Sequence, residues 1–268
     1  MNVTVALSLN YPSSYLIPFL KSYQKEVIGD LFLITNLTKN DIPILGNSIH
    51  LVNFEEFTKK YKVANLTPYN LKPILFYLLL KELLKTEKYQ TALLTDVDVI
   101  FQKDPFTIYN TTFDTEKLLL SEERHSYKDC DTNSWWYKQG YLQTYDLVKN
   151  KKILNCGVTI GPIKSLIDYQ KKVVNELSVL LSKNSFFAYD QVILNYLTYN
   201  TQELNFNILP HGNDYIIHLS QEDEIQDLTK WIRNNTIYNC SSNNDFAIIH
   251  QYDKKKGIKE FILNKYAQ

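Results

Sequence analysis

The chain has 268 residues, of which 44% are hydrophobic, and its 29 basic and 29 acidic side chains leave no net charge. This length and composition allow a sizeable buried core in one large domain. The balanced charge gives no electrostatic basis for nonspecific nucleic-acid binding, so no nucleic-acid partner is expected. The widely spaced Cys130, Cys156 and Cys240 form neither a disulfide framework nor a zinc-ribbon pattern, which favours a reducing compartment.

Apolar runs alternate with helical patterns in the first half of the chain, which predicts an α/β fold built from crossover units. Strands are predicted over residues 3–9, 30–35, 49–54 and 91–94, and helices over residues 15–27 and 70–84. The first strand leads into Ser8, Asn10 and Tyr11, where open α/β sheets usually receive ligands. The ring of Tyr11 is suited either to stacking on a nucleotide base or to packing on its own loop.

The helix predicted over residues 70–84 carries Lys72 and Pro73 in its first turn. Proline is tolerated there because its missing N–H has no intrahelical role. The helix dipole does not favour a cation at this end, so a nearby anion such as a diphosphate would explain Lys72. The alternative is an ordinary solvated lysine whose aliphatic stem packs on the surface.

Asp96 and Asp98 directly follow the apolar run of residues 91–94. Because unpaired carboxylates are costly to remove from water, two acids in such surroundings are usually neutralised by a cation. Carboxylate oxygens suit hard divalent ions such as Mg2+ and Mn2+, which keep open positions for substrate phosphates. The pattern therefore predicts a metal site at a strand end, against the alternative of ordinary loop or cap residues.

In the second half, strands are predicted over residues 118–120, 153–162 and 246–249, and helices over residues 165–181, capped by Ser165, and from residue 189 onwards. Residues 124–150 are rich in polar and aromatic side chains and show neither helical nor strand periodicity. This favours a substrate-facing loop or lid or, alternatively, packing over the core.

Asn155 and Gly157 lie where a strand backbone can approach a ligand closely. Asp190 is either a helix cap or a functional acid, and His250, after the last strand, is either a metal ligand or a structural histidine.

Four segments of the chain together resemble the ordered motifs of one enzyme family. They are Lys72-Pro73, the run from Leu94 to Ile100 with Asp104-Pro105-Phe106, Asn155-Cys156-Gly157, and Asp190-Gln191 followed by Asn195-Tyr196. This set is similar to that of the nucleotide-diphospho-sugar glycosyltransferases of the GT-A fold, over roughly residues 3–253. The resemblance implies a Rossmann-like α/β fold with a central mixed, mostly parallel sheet flanked by helices. It also implies a single domain, with a nucleotide-binding half of about residues 1–110 and an acceptor-binding half of about residues 111–268.

The function implied by the resemblance is transfer of a sugar from a nucleotide-diphosphate donor, usually a uridine diphosphate sugar, to a hydroxyl group of a glycan or glycoprotein. Mn2+ or Mg2+ would be bound by Asp96, Asp98 and His250 and would stabilise the departing diphosphate. Contacts with the donor are implied for a larger set: Ser8, Asn10, Tyr11, Lys72, Thr95, Asp96, Val97, Asn155 and Gly157. The implied catalytic residues are Asp190, Gln191 and Glu122, with Glu123 competing with Glu122 for the role of base.

Two other interpretations stay open. An Asp-x-Asp after a strand also resembles the haloacid dehalogenase signature of phosphohydrolases, with Asp96 as nucleophile, Asp98 as general acid and Asn213-Asp214 as a weak later match. A noncatalytic nucleotide-sugar binder would keep both aspartates but tolerate replacement of Asp190. Neither a signal peptide nor a transmembrane span is predicted, so we expect a cytoplasmic or soluble protein of a microbe or a large virus, or else a trimmed catalytic domain.

Overall fold

In a computed structural model, the chain folds around a large β-sheet with helices on both faces. The structure describes residues 1–42, 45–64, 66–183, 190–201, 204, 206–222 and 230–266. The strands within these ranges are β1 (Asn2–Ser8), β2 (Asp30–Thr35), β3 (Ile49–Asn53), β4 (Thr91–Thr95), β5 (Val99–Phe101), β6 (Leu118–Ser126), β7 (Lys152–Pro162), β8 (Phe206–Leu209), β9 (Ile216–His218), β10 (Ile232–Arg233), β11 (Thr236–Ile237) and β12 (Ile248–His250). The helices are α1 (Ser13–Glu26), α2 (Phe54–Tyr61), α3 (Pro68–Lys85), α4 (Pro105–Thr112), α5 (Asp131–Tyr141), α6 (Tyr145–Val148), α7 (Ile163–Ser182), α8 (Asp190–Tyr196) and α9 (Lys256–Tyr266).

The main sheet is mixed. Over the described residues it has seven strands, in the order β3-β2-β1-β4-β7-β6-β8. The strands β3, β2, β1 and β4 run parallel, β7 is antiparallel to both of its neighbours, and β8 is parallel to β6. The prediction of an α/β fold with a mixed sheet between helices is confirmed. Because the carboxyl ends of parallel strands share one edge, the segments that follow β1 and β4 lie side by side there.

The alternation of side chains along the strands produces two cores. In β4, Ala92 and Leu94 pack on one face and Leu93 on the other, because successive strand residues point to opposite sides. The first face is covered by α3, α5, α7 and α8, and the second by α1, α4 and a small sheet of β5, β12 and β9. A strand buried on both faces has to be apolar throughout, which explains the continuous run in β4.

The small sheet connects the Asp-x-Asp segment to the C-terminal part of the chain. Strand β5 is antiparallel to β12, and β12 is parallel to β9. Helix α9 packs against this sheet through Ile258, Ile262 and Tyr266. The chain leaves the main sheet at Thr95 and enters the small sheet at Val99, so residues 96–98 form the crossing between the two sheets.

Helix α3 begins earlier than the sequence pattern predicts. Its first residue is Pro68, so Lys72 and Pro73 lie beyond the first turn. Pro68 occupies the position where a missing N–H costs nothing, whereas Pro73 removes one intrahelical hydrogen bond. The placement of Lys72 in the first turn is therefore wrong, and so is the helix-dipole argument for it, because that effect fades after the first turn.

Two further boundaries differ from the prediction. Strand β6 continues to Ser126, well beyond the predicted residues 118–120, and its Ser121 and Glu123 are buried and hydrogen-bonded. Ser165 does not cap α7, because that helix already begins at Ile163. Polar side chains of β6 thus lie inside the fold, beyond the end of the predicted strand.

Residues 124–150 contain α5 and α6, so the prediction of a loop is wrong, while a role of these helices as a lid stays a prediction. Tyr137 is fully buried, and the ring of Tyr141 stacks on Tyr196 of α8 with centroids 3.9 Å apart. These aromatic side chains pack over the core, as the alternative interpretation proposed, while Trp135 is 46% exposed.

The apolar run of residues 74–80 lies within α3, whose buried side chains pack on the first face of the main sheet. Among the described helices, none combines the length and the apolar character needed to cross a lipid bilayer.

Candidate active site

Asp96 and Asp98 are fixed at the crossing between the two sheets. Val97, between them, is 4% exposed and packs in the core of the second face. The N–H of Asp96 donates to the carbonyl oxygen of Gly157, and the N–H of Gln251 donates to that of Asp98, each at 2.9 Å. Backbone hydrogen bonds to both sheets therefore hold the two acids in place.

Thr95 and Val97, two of the predicted donor contacts, have buried side chains. Thr95 is 1% exposed, and its hydroxyl donates to the carbonyl oxygen of Asp96 at 3.0 Å. Their side chains stabilise the crossing and do not reach solvent. A contact between these two residues and a nucleotide-sugar donor would therefore involve the backbone.

His250, the last residue of β12, brings an imidazole to the two carboxylates. Its Nε2 lies 3.7 Å from Oδ2 of Asp96 and 3.4 Å from Oδ1 of Asp98. A Cβ atom on Gly157 would lie 2.2 Å from Cε1 of this imidazole and 2.8 Å from Oδ2 of Asp96. The close approach predicted at Gly157 is therefore made by side chains of the protein itself, and they leave no room for a larger residue.

The three ligand atoms fit a single divalent cation. They lie within 4.8 Å of one another, and in octahedral coordination at about 2.1 Å neighbouring ligands are about 3 Å apart and opposite ligands about 4 Å apart. Among the described residues, Nε2 of His250 and Oδ1 of Asp98 are buried without a hydrogen-bond partner. Since buried polar atoms are usually satisfied, both orphaned atoms suit metal coordination. Two carboxylates and one imidazole suit Mn2+ better than Mg2+, because imidazole is a poor ligand for the harder ion.

Lys72 connects these ligands to Asp190. Its Nζ lies 2.9 Å from Oδ1 of Asp96 and 2.7 Å from Oδ2 of Asp190, and its side chain is 15% exposed. Burial alone lowers the pKa of Lys72, but the carboxylates of Asp190 and Asp96 outweigh burial and raise the pKa well above its usual value. The alternative of an ordinary solvated lysine is wrong.

Asp190 is the first described residue of α8, because the preceding Tyr189 lies outside the described residues. Its Oδ1 accepts a hydrogen bond from the N–H of Gln191 at 2.9 Å, and its Oδ2 contacts Lys72. Both carboxylate oxygens are thus held, so the group has one defined orientation beside the metal ligands.

The charge of the site favours a cation. Asp96 and Asp190 contact the ammonium group of Lys72, and Asp98 lies with Asp96 and His250. Three carboxylates beside one ammonium group formally leave two negative charges for a divalent ion to balance. Burial alone lowers the pKa of His250, but Asp98 and Asp96 outweigh it and raise the pKa to about 9. Burial would raise the pKa of Asp96, yet Lys72 and His250 hold it well below its usual range. Without metal, a proton on His250 therefore supplies part of the missing positive charge.

Glu123 of β6 orients the polar side chains next to Asp190. Its Oε1 accepts hydrogen bonds from Nδ2 of Asn155 at 2.7 Å and from Nε2 of Gln191 at 3.2 Å. Oδ1 of Asn155 in turn accepts one from the N–H of Gly157 at 2.7 Å. Glu123 is 2% exposed, and burial raises its pKa. One buried carboxyl group thus fixes the amides of both Asn155 and Gln191.

Of the two adjacent glutamates, Glu123 and not Glu122 joins this network. Successive strand residues point to opposite sides, and Glu122 is partly exposed. The pKa of Tyr199 is raised by burial and by the charge of Glu122, which places that carboxylate near Tyr199. Among the predicted catalytic residues, the structure brings Asp190 and Gln191 together and leaves Glu122 outside the group.

The loop after β1 brings Tyr11 towards the acidic pair. Tyr11 is 44% exposed, and its ring stacks on Tyr15 with centroids 4.6 Å apart. Burial and the charges of Asp98 and Asp96 raise the pKa of Tyr11. Tyr11 therefore packs on its own loop and also offers an exposed aromatic face beside the site.

Ser8 and Asn10, two further predicted donor contacts, differ in their surroundings. Ser8 ends β1 and is fully buried, and its hydroxyl has no partner among the described residues. Asn10 is exposed with a φ of 62°, and its N–H donates to Oδ1 of Asn36 at 3.1 Å. Asparagine tolerates this left-handed backbone, so Asn10 turns the loop that carries Tyr11.

Sequence reasoning missed His218, Ser121 and Asn133. Oδ1 of Asn133 accepts a hydrogen bond from Nε2 of Gln191 at 3.0 Å. Nδ1 of His218 lies 2.8 Å from Nδ1 of His250, and burial together with the charge of His250 lowers the pKa of His218 well below its usual value. One signal was visible: the Ile-Ile-His sequence of β12 recurs in β9, and the two strands pair in parallel with their histidines opposite each other.

Comparison with known proteins assigns no family to the chain. No protein-family model matches it, and no curated protein matches it. Its function therefore has to be inferred from the geometry and chemistry of this site.

Proposed function

We propose that the protein is a metal-dependent glycosyltransferase of the GT-A type. It would transfer a sugar from a nucleotide-diphosphate donor, first of all a uridine diphosphate sugar, to a hydroxyl group of a glycan or glycoprotein. The observation that carries this proposal is the convergence of Asp96, Asp98 and His250 after the carboxyl end of β4, with Lys72 and Asp190 in contact beside them. In open α/β sheets, that edge is where nucleotides bind.

The metal would be held by Asp96, Asp98 and His250. When bound, it would act as a Lewis acid that stabilises negative charge on the departing diphosphate. The protein contributes rigid placement, because backbone hydrogen bonds hold the two aspartates and Gly157 leaves the space that the imidazole fills. Preorganised ligands of this kind need no rearrangement during the reaction.

Lys72 would supply a second, fixed positive charge next to the diphosphate. Its high pKa keeps it charged at any physiological pH, and it contacts Asp96 on one side and Asp190 on the other. A lysine ammonium is a common partner of phosphate groups. The contact with Asp190 also orients that carboxylate.

Asp190 is the acidic residue that we assign to the reacting sugar. Its two oxygens are held by Lys72 and by the N–H of Gln191, so the carboxylate would be preorganised to stabilise positive charge that develops at the anomeric carbon. Gln191 and Asn155 are oriented by Glu123 and would offer their amides to sugar hydroxyls. The exposed face of Tyr11 would stack on the base of the donor.

Release of nucleoside diphosphate from a panel of uridine- and guanosine-diphosphate sugars tests the proposal. Each donor is assayed with Mn2+, with Mg2+ and with a chelator, because slow hydrolysis of the donor can use the transfer site without an acceptor. We expect metal-dependent release from one donor. Phosphate release from simple phosphomonoesters instead would indicate the phosphohydrolase. Metal-dependent binding of uridine diphosphate without turnover on any candidate acceptor would indicate a binder.

The site itself is tested with Asp98→Ala. We expect this change to lower metal-dependent release by at least about 100-fold, the loss typical of removing one preorganised electrostatic group. Asp146→Ala is the matched control, because Asp146 is 84% exposed and pairs only at the surface with Lys149. Undiminished metal-dependent turnover in Asp98→Ala would contradict the assignment of the site.

A further inference from the structure

We propose that Ser121 and His218 form a hydrogen-bonded relay that fixes the tautomer of His250 and directs the lone pair of its Nε2 at the cation. His218 is thus a positioning residue that acts through His250. The inference rests on the proposed function, in that His250 must be a metal ligand.

The relay is a continuous series of short contacts. Oγ of Ser121 lies 2.6 Å from Nε2 of His218, and Nδ1 of His218 lies 2.8 Å from Nδ1 of His250. Ser121 is fully buried, and the two histidines are each 2% exposed, so water does not compete for these bonds. The parallel register of β9 and β12 places the two histidines opposite each other, and their rings are nearly perpendicular, at 85°.

One requirement sets the direction of every hydrogen bond in the relay. A neutral imidazole carries one ring proton, so His250 can offer a lone pair at Nε2 only when its proton lies on Nδ1. That Nδ1–H then donates to Nδ1 of His218, which has to be unprotonated. The proton of His218 accordingly lies on Nε2, which donates to Oγ of Ser121. Nε2 of His250 is then the one ring nitrogen of the pair that is left for a metal.

The reverse direction is disfavoured by distance. It would place the proton of neutral His250 on Nε2, which lies 3.7 Å from Oδ2 of Asp96 and 3.4 Å from Oδ1 of Asp98. Both separations exceed the usual range for an N–H donor and a carboxylate. A buried N–H would therefore lack a good acceptor, which is costly, whereas the proposed direction leaves only a lone pair that a cation can use.

The relay has a measurable consequence for metal affinity. A partner that binds the second nitrogen of a metal-bound histidine fixes the orientation of the ring, and its loss typically weakens metal binding by about 10- to 100-fold. We expect His218→Leu to raise the dissociation constant of Mn2+ by this factor. His218→Asn, whose side-chain oxygen lies near the position of Nδ1, keeps an acceptor and should restore affinity close to that of the wild type.

The test measures free Mn2+ by electron paramagnetic resonance during titration of the full chain, without a donor. His50→Leu is the matched control, because His50 is partly exposed on β3. Wild-type affinity in His218→Leu, or an equal loss in His218→Asn, would overturn the relay. Failure of the proposed function is distinct from both: another metal-dependent activity would leave Mn2+ binding and the relay intact, whereas a wild-type protein that binds no Mn2+ at the site that Asp98→Ala removes would overturn the metal site itself.

A second measurement needs no substitution and so does not depend on folding of the variants. In the Mg2+-bound wild-type protein, 15N chemical shifts of the imidazoles report which nitrogen carries the proton. We expect the proton on Nδ1 of His250 and on Nε2 of His218. A proton on Nε2 of His250 together with an unprotonated Nδ1 would overturn the relay.

Discussion

Gly157→Ala is the smallest substitution that we expect to disrupt the metal site. The added Cβ atom would lie 2.2 Å from Cε1 and 2.5 Å from Nε2 of His250. Ordinary contact begins at 3.4 Å, so the imidazole would have to move by about 1.2 Å. That exceeds the tolerance of about 0.2 Å in a metal–ligand distance. His250 is also held from the other side, where Nδ1 of His218 lies 2.8 Å from its own Nδ1.

We therefore expect Gly157→Ala to weaken Mn2+ binding by at least about 100-fold, more than the loss of a hydrogen-bond partner of a ligand would cause. Overpacking should also lower the free energy of unfolding by about 1 to 3 kcal/mol. Titration with Mn2+ measures the first effect, and denaturant unfolding without metal measures the second.

Gly140→Ala is the matched control for this prediction. A Cβ atom at Gly140, in α5, would meet Leu180 at 3.4 Å, which is ordinary contact. Alanine is favoured over glycine in a helix by about 0.5 to 1 kcal/mol, so the control should be at least as stable as the wild type and bind Mn2+ equally well. Wild-type Mn2+ affinity in Gly157→Ala would refute the reasoning, because the imidazole would then not be a ligand.

Four further predictions follow from the charges and rings of the site. Because the metal must displace a proton from His250, whose pKa is about 9, Mn2+ affinity should rise about tenfold per pH unit up to that value; a flat profile in calorimetric titrations would contradict this. Protonated His250 also stabilises the metal-free fold, because its pKa is higher in the folded protein than the value of 6.5 in the unfolded chain. This stabilisation is complete below pH 6.5 and should be lost as the pH rises through about 9, so the melting temperature should fall over that window. Lys72→Met leaves two carboxylates without their counter-charge and should destabilise the metal-free protein by about 3 kcal/mol, whereas Lys149→Met, at an ion pair whose two side chains are both exposed, should change stability little; equal losses in denaturant unfolding would show that the buried pairs do not matter. Tyr11→Ala should raise the KM for the donor, since base stacking contributes about 1 to 3 kcal/mol, with Mn2+ affinity unchanged; a KM equal to that of the wild type would exclude stacking on this ring.

The pattern of apolar residues predicted most elements because burial of the main sheet on both faces constrains nearly every residue of its strands. Strand β2 has the predicted bounds, residues 30–35. Helix α7 was predicted because apolar residues recur at helical spacing, and the structure buries these residues: Leu166, Tyr169, Val173, Leu177 and Leu180. The pattern failed where polar residues are buried, as in β6, because their partners come from distant parts of the chain.

The metal ligands could be proposed from sequence because each follows an apolar strand, and strand ends are exposed to ligands. Asp96 and Asp98 were indicated by the apolar residues that precede them in the chain, and His250 by its position after another apolar run. That they meet depends on the antiparallel pairing of β5 with β12, which no local pattern encodes.

The sequence by itself determined the α/β class, the strand ends and the types of side chain that they carry, since these depend on local periodicity and on the cost of burying charge. The tertiary structure decided which side chains meet. It selected Glu123 over Glu122, joined Lys72 to Asp190, and set His218 behind His250. The physical reason is that a hydrogen bond or an ion pair depends on distances of a few ångströms between residues far apart in the chain. Those distances are fixed only when the two sheets and their helices pack together.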